Sequence, residues 1–306
     1  MATDVRSLPA FFNTDADFQA WVQGLQAQFA ACGLVKTSDT GQINSATVLK
    51  PAAANTAQGY EIYRFSDAAQ ASLPLYLKVE YGSSSLVSGG ATPGLWVTVG
   101  TGSSGAGAIE GGSAVTRTAA QSSLAKSAGV TLPSYCSGDG GRLALVTNYD
   151  WTTNQCAFAF VIDRLRDALG NASGEGTLAV TVDNTPRLTA QVILAAWTLT
   201  FRSFGTGQSP FPGARAAGVP LGSGQTIWGA QVGVTPLMAT VGQLRFLVAA
   251  GYYNSGDTPG SAGANVLASA LAPLAVKMLG RTRQYLFLPS LQASVALGDP
   301  MAILWE

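Results

Sequence analysis

The chain contains no histidine, and only 11% of its 306 residues are charged. Without histidine, neither a Ser-His-Asp or Cys-His catalytic unit nor a histidine-based zinc site can form. Average domains contain about 25% charged residues, and the 17 basic and 17 acidic residues here cancel. We therefore expect no electrostatic binding of nucleic acid or of an acidic membrane surface. Because few charged groups protect a free monomer from association, we expect other protein to cover part of the surface.

Cysteine is scarce, and uninterrupted apolar runs are missing. The three cysteines, Cys32, Cys136 and Cys156, show no C-x-x-C spacing, which argues against a disulfide scaffold and fits synthesis in a reducing compartment. Residues 1–12 lack the basic and then apolar layout of a signal peptide. Residues 216–244 carry no charge, but prolines and glycines interrupt them. We therefore expect no transmembrane segment.

Apolar residues make up 47% of the chain, which is enough for a substantial core. Alternation with a period of two in residues 59–65, 74–82 and 94–100 predicts an antiparallel meander with one covered face. Seven further short runs in the second half predict strands. One of them, residues 156–165, also fits a helical face, and we favour a strand because β-rich runs flank it.

The clearest helix lies between Asn13 and Gly33. Its apolar residues fall at helical spacing on one face, and they are Phe18, Trp21, Val22, Leu25 and Phe29. Asn13 or Thr14 can cap its start and Gly33 can end it, whereas Gly24 weakens it by about 1 kcal/mol relative to alanine. The simpler interpretation packs the apolar stripe on a sheet of the same chain. The alternative docks it onto a neighbouring subunit.

Gly100, Gly102 and Gly105 match the G-x-G-x-x-G spacing of dinucleotide-binding loops. That fingerprint also needs a helix that begins at the loop and an acidic residue about 20 positions later. Gly111 and Gly112 stand where the helix would continue, and no acidic residue occurs between Glu110 and Asp139. The stretch is therefore predicted to be a turn after a strand, and we assign no cofactor.

Taken together, the patterns predict a mainly β protein with an N-terminal amphipathic helix and antiparallel β-rich lobes. Residues 1–115 are expected to form a domain of the helix and a β-meander, which makes this part α+β. Residues 116–306 are expected to form a β-rich domain with long Gly/Pro loops.

Several segments also resemble a known class of protein. These are "YEIYRFSD", "ASLPLYLKVEYG", "PGLWVTVGTGSSGAG" and "FAFVIDRLRDALGNASGEGTLAV". Their order resembles uncharacterised virion structural proteins of tailed bacteriophages over roughly residues 10–185. The resemblance implies a β-rich component that repeats around a particle, is not an enzyme and carries no catalytic residue.

The expected function is that of a structural subunit in the tail, baseplate or connector of a phage particle, located in the virion. Its expected partners are copies of itself and other virion proteins, and we assign no metal ligand. Three segments are predicted to be arms that meet neighbours: a loop over residues 83–94, a loop over residues 203–226 and the C-terminal residues 295–306. The candidate assembly residues are Phe18, Trp21, Leu25, Phe29, Ile303, Leu304 and Trp305.

Three alternatives stay open. In the first, the chain is a receptor- or glycan-binding virion protein, and exposed tryptophans would contact a host-surface glycan. The candidates are Trp96, Trp151, Trp197 and Trp228. In the second, the chain is a capsid decoration protein. The third alternative is a glycan-degrading enzyme that uses Asp163 and Asp167 as paired carboxylates, although a charged, solvated strand end explains these residues more simply.

Overall fold

The computed structural model describes residues 1–87, 89–111, 116–119, 127–148, 158–166, 172–182, 197–202, 232–239, 242–252, 274–278, 281–288 and 301–305. Over these ranges the chain is mainly β with a helix near its start, as predicted. In chain order the elements are β1 (Ala2–Pro9), α1 (Asp15–Ala31), β2 (Val35–Lys36), β3 (Thr56–Arg64), a 3-10 helix (Ala68–Ala71), β4 (Tyr76–Val87), β5 (Gly90–Gly100), β6 (Gly102–Ser103), β7 (Ile109–Glu110), β8 (Thr116–Ala119), β9 (Thr131–Gly138), β10 (Arg142–Thr147), β11 (Phe158–Arg166), β12 (Ala172–Val182), β13 (Trp197–Arg202), β14 (Val232–Ala239), β15 (Gly242–Tyr252), β16 (Leu274–Met278), β17 (Arg281–Leu288) and β18 (Met301–Leu304).

The strands form three larger sheets and a small hairpin. The six-stranded sheet has the order β1-β9-β10-β11-β12-β13, the N-terminal sheet β2-β3-β4-β5-β8, and the C-terminal sheet β14-β15-β18-β17-β16. Neighbouring strands pair antiparallel throughout. Strands β6 and β7 pair only with each other among the described elements. The expected antiparallel, β-rich architecture is confirmed.

Helix α1 begins and ends where its sequence predicts. Thr14 is the N-cap: its hydroxyl accepts from the Asp17 N–H, and the Asp17 carboxylate accepts from the Thr14 N–H at 2.8 Å. This reciprocal pair satisfies backbone donors that the first turn leaves free. At the other end Gly33 has φ +87°, and the Leu34 N–H donates to the Phe29 carbonyl at 3.0 Å, which closes a Schellman motif.

The apolar face of α1 lies in the chain's own core. Phe18, Trp21, Leu25 and Phe29 are all fully buried. Trp21 packs edge-on against Tyr81 of β4, and Phe29 packs edge-on against Tyr63 of β3. Each buried side chain of this size contributes about 1.5–3 kcal/mol. The assignment of these four helix residues to an assembly interface is therefore corrected: they hold the helix on its own sheet.

The predicted alternation holds for β4 and fails for β5. In and just before β4, one set of alternate side chains is fully buried, namely Leu75, Leu77, Val79 and Tyr81. In β5 every residue from Gly90 to Gly100 is buried, so both of its faces are covered. The expectation of one covered face is wrong for this strand, because Trp96 and Thr98 on the second face are only 3% and 8% exposed.

The core extends across residue 115. Strand β1 pairs with β9 along its whole length, and one hydrophobic cluster includes Trp21 and Leu95 together with Cys136, Leu145 and Ile162. The division near residue 115 thus stays a prediction of a domain boundary, but its two sides share a sheet and a core. Residues 158–166 form a strand, which confirms the choice of strand over helix there.

Candidate functional site

Two outermost strands each carry an exposed valine. Strand β1 ends the order of the six-stranded sheet, and β2 ends that of the N-terminal sheet. Val5 in β1 is 56% exposed and Val35 in β2 is 38% exposed. Soluble proteins usually protect sheet edges with charges, prolines or covering loops, since an open edge can pair with another chain. Both strands do carry charges, Asp4 and Arg6 in β1 and Lys36 in β2, but an exposed valine beside them leaves each edge a candidate surface for contact with other protein.

A third exposed apolar residue lies at the end of the β4–β5 hairpin, in residues 84–87 and 89–92 (the hairpin tip). Among the described strands, only β4 and β5 pair along this tip, from Ser85 with Thr92 to Val87 with Gly90, so the tip extends beyond β3 and β8. Leu86 at the tip is 46% exposed. Residues 83–94 were predicted to be a loop, so this expectation is corrected: most of them continue two paired strands.

The hairpin tip is tied to the segment before α1. The Phe12 N–H donates to the Ala91 carbonyl at 2.8 Å, and the Ala91 N–H donates back at 3.1 Å. Phe12 itself is fully buried. This two-way bridge holds the tip in a fixed direction, so that Leu86 projects from a rigid support.

The C-terminal candidates are part of a sheet. Strand β18 lies between β15 and β17; Ile303 is in register with Leu247 and Leu286, and Leu304 with Tyr285. The prediction of an arm over residues 295–306 is therefore wrong for 301–304, which form an internal strand. Residues 203–226, the third predicted arm, lie outside the described residues.

Trp305 contacts the six-stranded sheet. Its backbone N–H donates to the Gln284 carbonyl at 2.8 Å, and its ring packs edge-on against Tyr135 of β9 with centroids 6.1 Å apart. Only 8% of Trp305 is exposed. Its interface assignment is corrected in the same way as that of the helix residues, since this side chain joins two sheets of one chain.

The glycine-rich stretch forms a hairpin. After β5, residues 102–110 turn back through β6 and β7, and no helix starts there, as predicted. Asp39 anchors this hairpin: its carboxylate accepts from the Ser103 hydroxyl and from the Gly107 N–H at 3.1 Å. The Thr37 hydroxyl donates to the other carboxylate oxygen at 2.6 Å. Burial raises the pKa of Asp39, but these hydrogen bonds outweigh burial and hold the pKa below its ordinary value.

A buried carboxylate lies between α1 and the N-terminal sheet. Glu61 of β3 is fully buried, and four side chains donate to it (the Glu61 cluster). Gln26 Nε2 and Lys36 Nζ reach Oε1 at 2.8 and 2.5 Å, and the hydroxyls of Tyr63 and Tyr81 reach Oε2 at 2.5 and 2.8 Å. The cluster places one cation beside one anion and satisfies the carboxylate on both oxygens.

Burial raises the pKa of Tyr63 and of Tyr81 well above the ordinary value, and the nearby Glu61 charge adds to the effect. Both phenols therefore stay protonated and donate at neutral pH. With every acceptor site of Glu61 approached by an internal donor, the arrangement fixes strand β3 against the helix. The sequence alternation alone does not reveal the cluster, because apolar or aromatic residues stand on both sides of β3.

The residues of the glycan and hydrolase alternatives are only partly placed. Trp96 is 3% exposed, so its ring offers no open surface for a sugar. Trp197 starts β13, and Asp163 of β11 is in register with Arg142 and Leu178. Trp151, Trp228 and Asp167 lie outside the described residues, and so does Cys156.

A scan of protein-family models, a search of curated proteins and a search of solved structures each found no match to this chain. None of the helices in the described ranges is long and apolar enough to cross a membrane. In the same part of the chain, no three Cys, Asp or Glu side chains lie together as a metal site would need.

Proposed function

We propose that this chain is a structural subunit of a bacteriophage particle, in its tail, baseplate or connector region, which assembles with copies of itself and with other virion proteins. The observation that carries the proposal is the exposure of apolar side chains where chains can join. Val5 and Val35 lie on outermost strands, and Leu86 lies on a supported hairpin tip.

The composition supports the same conclusion. With 11% charged residues, the chain has few of the groups that keep sheet edges apart in solution. A closed symmetric assembly covers such edges by repeating one contact around an axis. The order of the four sequence segments quoted above supports a phage particle as the place of assembly.

The proposal is tested on particles. We expect the chain to remain with intact phage particles through a density gradient and to be present in several copies per particle by quantitative mass spectrometry. Host cytoplasmic proteins, which the gradient removes, are the control. Particles made without the gene should lack a tail, baseplate or connector structure and regain it when the chain is supplied in trans. Absence of the chain from purified particles would overturn the proposal.

A further inference from the structure

We infer that β1 pairs with β1 of a second copy of this chain, antiparallel and across a two-fold axis at Val5. This inference rests on the proposed function, because it names one contact of the assembly. It joins the six-stranded sheets of two chains into one continuous sheet.

The hydrogen-bond pattern of β1 points the backbone groups of alternate residues toward its outer edge. The Ala10 N–H donates to the Val130 carbonyl at 3.0 Å, in the same register that pairs β1 with β9. In antiparallel strands the paired groups alternate, so even-numbered residues of β1 face β9. The backbone N–H and carbonyl groups of Thr3, Val5 and Ser7 consequently point to the outer edge, where no other described strand pairs.

A two-fold axis at Val5 brings these same groups together. Val5 then lies opposite Val5 of the second copy, and Thr3 lies opposite Ser7 on each side of the axis. All three pairs are of the hydrogen-bonded kind, which gives about six backbone hydrogen bonds. The exposed valines meet as a cross-strand pair of β-branched side chains, a combination that stabilises sheets.

Charge selects this register over its neighbours. Asp4 and Arg6 form a two-point ion pair along the strand, at 2.8 and 3.1 Å. With the axis at Val5, Asp4 of each chain lies opposite Arg6 of the other. Axes at Asp4 or at Arg6 also bring edge groups into register, but they set like charges opposite each other, which is destabilising.

The helix beside β1 leaves room for a partner. The Gln28 amide of α1 donates to the Asp4 carbonyl at 3.3 Å, which places the helix close to this strand. Its exposed positions are Asp15, Ala16, Ala20, Gln23, Ala30 and Ala31, so four of the six carry only a methyl group. Small side chains let the second copy approach without displacing long ones.

The first test measures mass in dilute solution. We expect a species of twice the 31.3 kDa chain mass by sedimentation or native mass spectrometry. Val5→Pro removes an N–H that faces away from β9, so the fold should remain while the dimer dissociation constant rises at least about tenfold. Val5→Thr keeps both the N–H and the β-branched shape, and it should leave the dimer intact. Circular dichroism checks that each variant is folded.

The second test uses charge. Asp4→Arg and Arg6→Asp should each weaken the dimer by at least about tenfold, because each sets like charges across the axis. Mixing the two variants should restore dimerisation, with one chain of each variant in the dimer. A chain that carries both changes should form a homodimer again. A monomeric wild type, or dimers that neither Val5→Pro nor the charge changes weaken, would overturn the inference. The particle experiment would still decide the proposed function separately.

Discussion

Glu61 is a carboxylate with no exposure to solvent, and its surroundings explain how the fold accommodates it. An unpaired buried charge costs several kcal/mol or shifts to its neutral form. Here Lys36 supplies the opposite charge at 2.5 Å, and two phenols and an amide complete the donors. A fully satisfied polar cluster of this kind fixes one arrangement of the elements around it.

The two phenols of the Glu61 cluster predict an alkaline loss of stability. Tyrosines in the unfolded chain ionise near pH 10, whereas Tyr63 and Tyr81 keep their protons in the folded state because their pKa values are raised. The unfolded state therefore binds fewer protons above about pH 10, and the free energy of unfolding should fall by up to about 2.7 kcal/mol per pH unit.

Urea denaturation between pH 8 and 11 measures this loss. The double change Tyr63→Phe and Tyr81→Phe should lower stability at pH 8 and flatten the alkaline slope. Tyr60→Phe, on the other side of β3 and outside the Glu61 cluster, is the matched control for the removal of a phenol hydroxyl. An unchanged slope in the double variant would contradict the role assigned to these phenols.

At the scale of elements, α1 and β1 show what the sequence can predict. The cap at Thr14, the end at Gly33 and the buried stripe of α1 follow local patterns and are confirmed. The reason for Gly24 is not local: a Cβ there would collide with Leu8 of β1. The local pattern of residues 2–9 predicts no strand at β1, whose partner β9 begins more than 120 residues later.

The hairpin of β6 and β7 depends on Asp39, so removal of the Asp39 carboxylate should loosen this hairpin and not the rest of the fold. Asp39→Ala leaves the Ser103 hydroxyl and the Gly107 N–H without their acceptor, which should cost about 1–3 kcal/mol. Amide hydrogen exchange at Gly107 and its neighbours should become faster, while exchange in α1 stays unchanged. Ser38→Ala, at an exposed neighbouring position, is the control.

The same carboxylate adds a pH dependence with a definite sign. Because the folded pKa of Asp39 is below its ordinary value, its contribution is present at neutral pH and is lost as the pH falls below about 4. Hydrogen exchange in the hairpin should therefore show extra opening in acid for the wild type. If Asp39→Ala shows the same acid response, the carboxylate does not hold the hairpin.

At the scale of the whole molecule, distant parts of the chain meet. Strand β1 lies beside β9, and β18 lies inside the C-terminal sheet although it is the last strand described. Such non-local pairings carry no local sequence signal, which is why alternation predicts strands such as β4 but not which strands pair. Contacts far apart in sequence also slow folding, since long loops close before the contacts form.

The contact between Trp305 and Tyr135 joins the C-terminal sheet to the six-stranded sheet, so its loss should destabilise the whole molecule. Trp305→Ala should lower the free energy of unfolding by about 3–5 kcal/mol, whereas Trp305→Phe keeps a ring and should cost less. A double-mutant cycle with Tyr135→Ala should show a coupling of about 0.5–1.5 kcal/mol. If the two changes add without coupling, the rings do not interact.

Since Tyr135 is in register with Val5, the same variants should also weaken the β1 dimer if the C-terminal sheet supports that edge, and sedimentation of Trp305→Ala measures this directly.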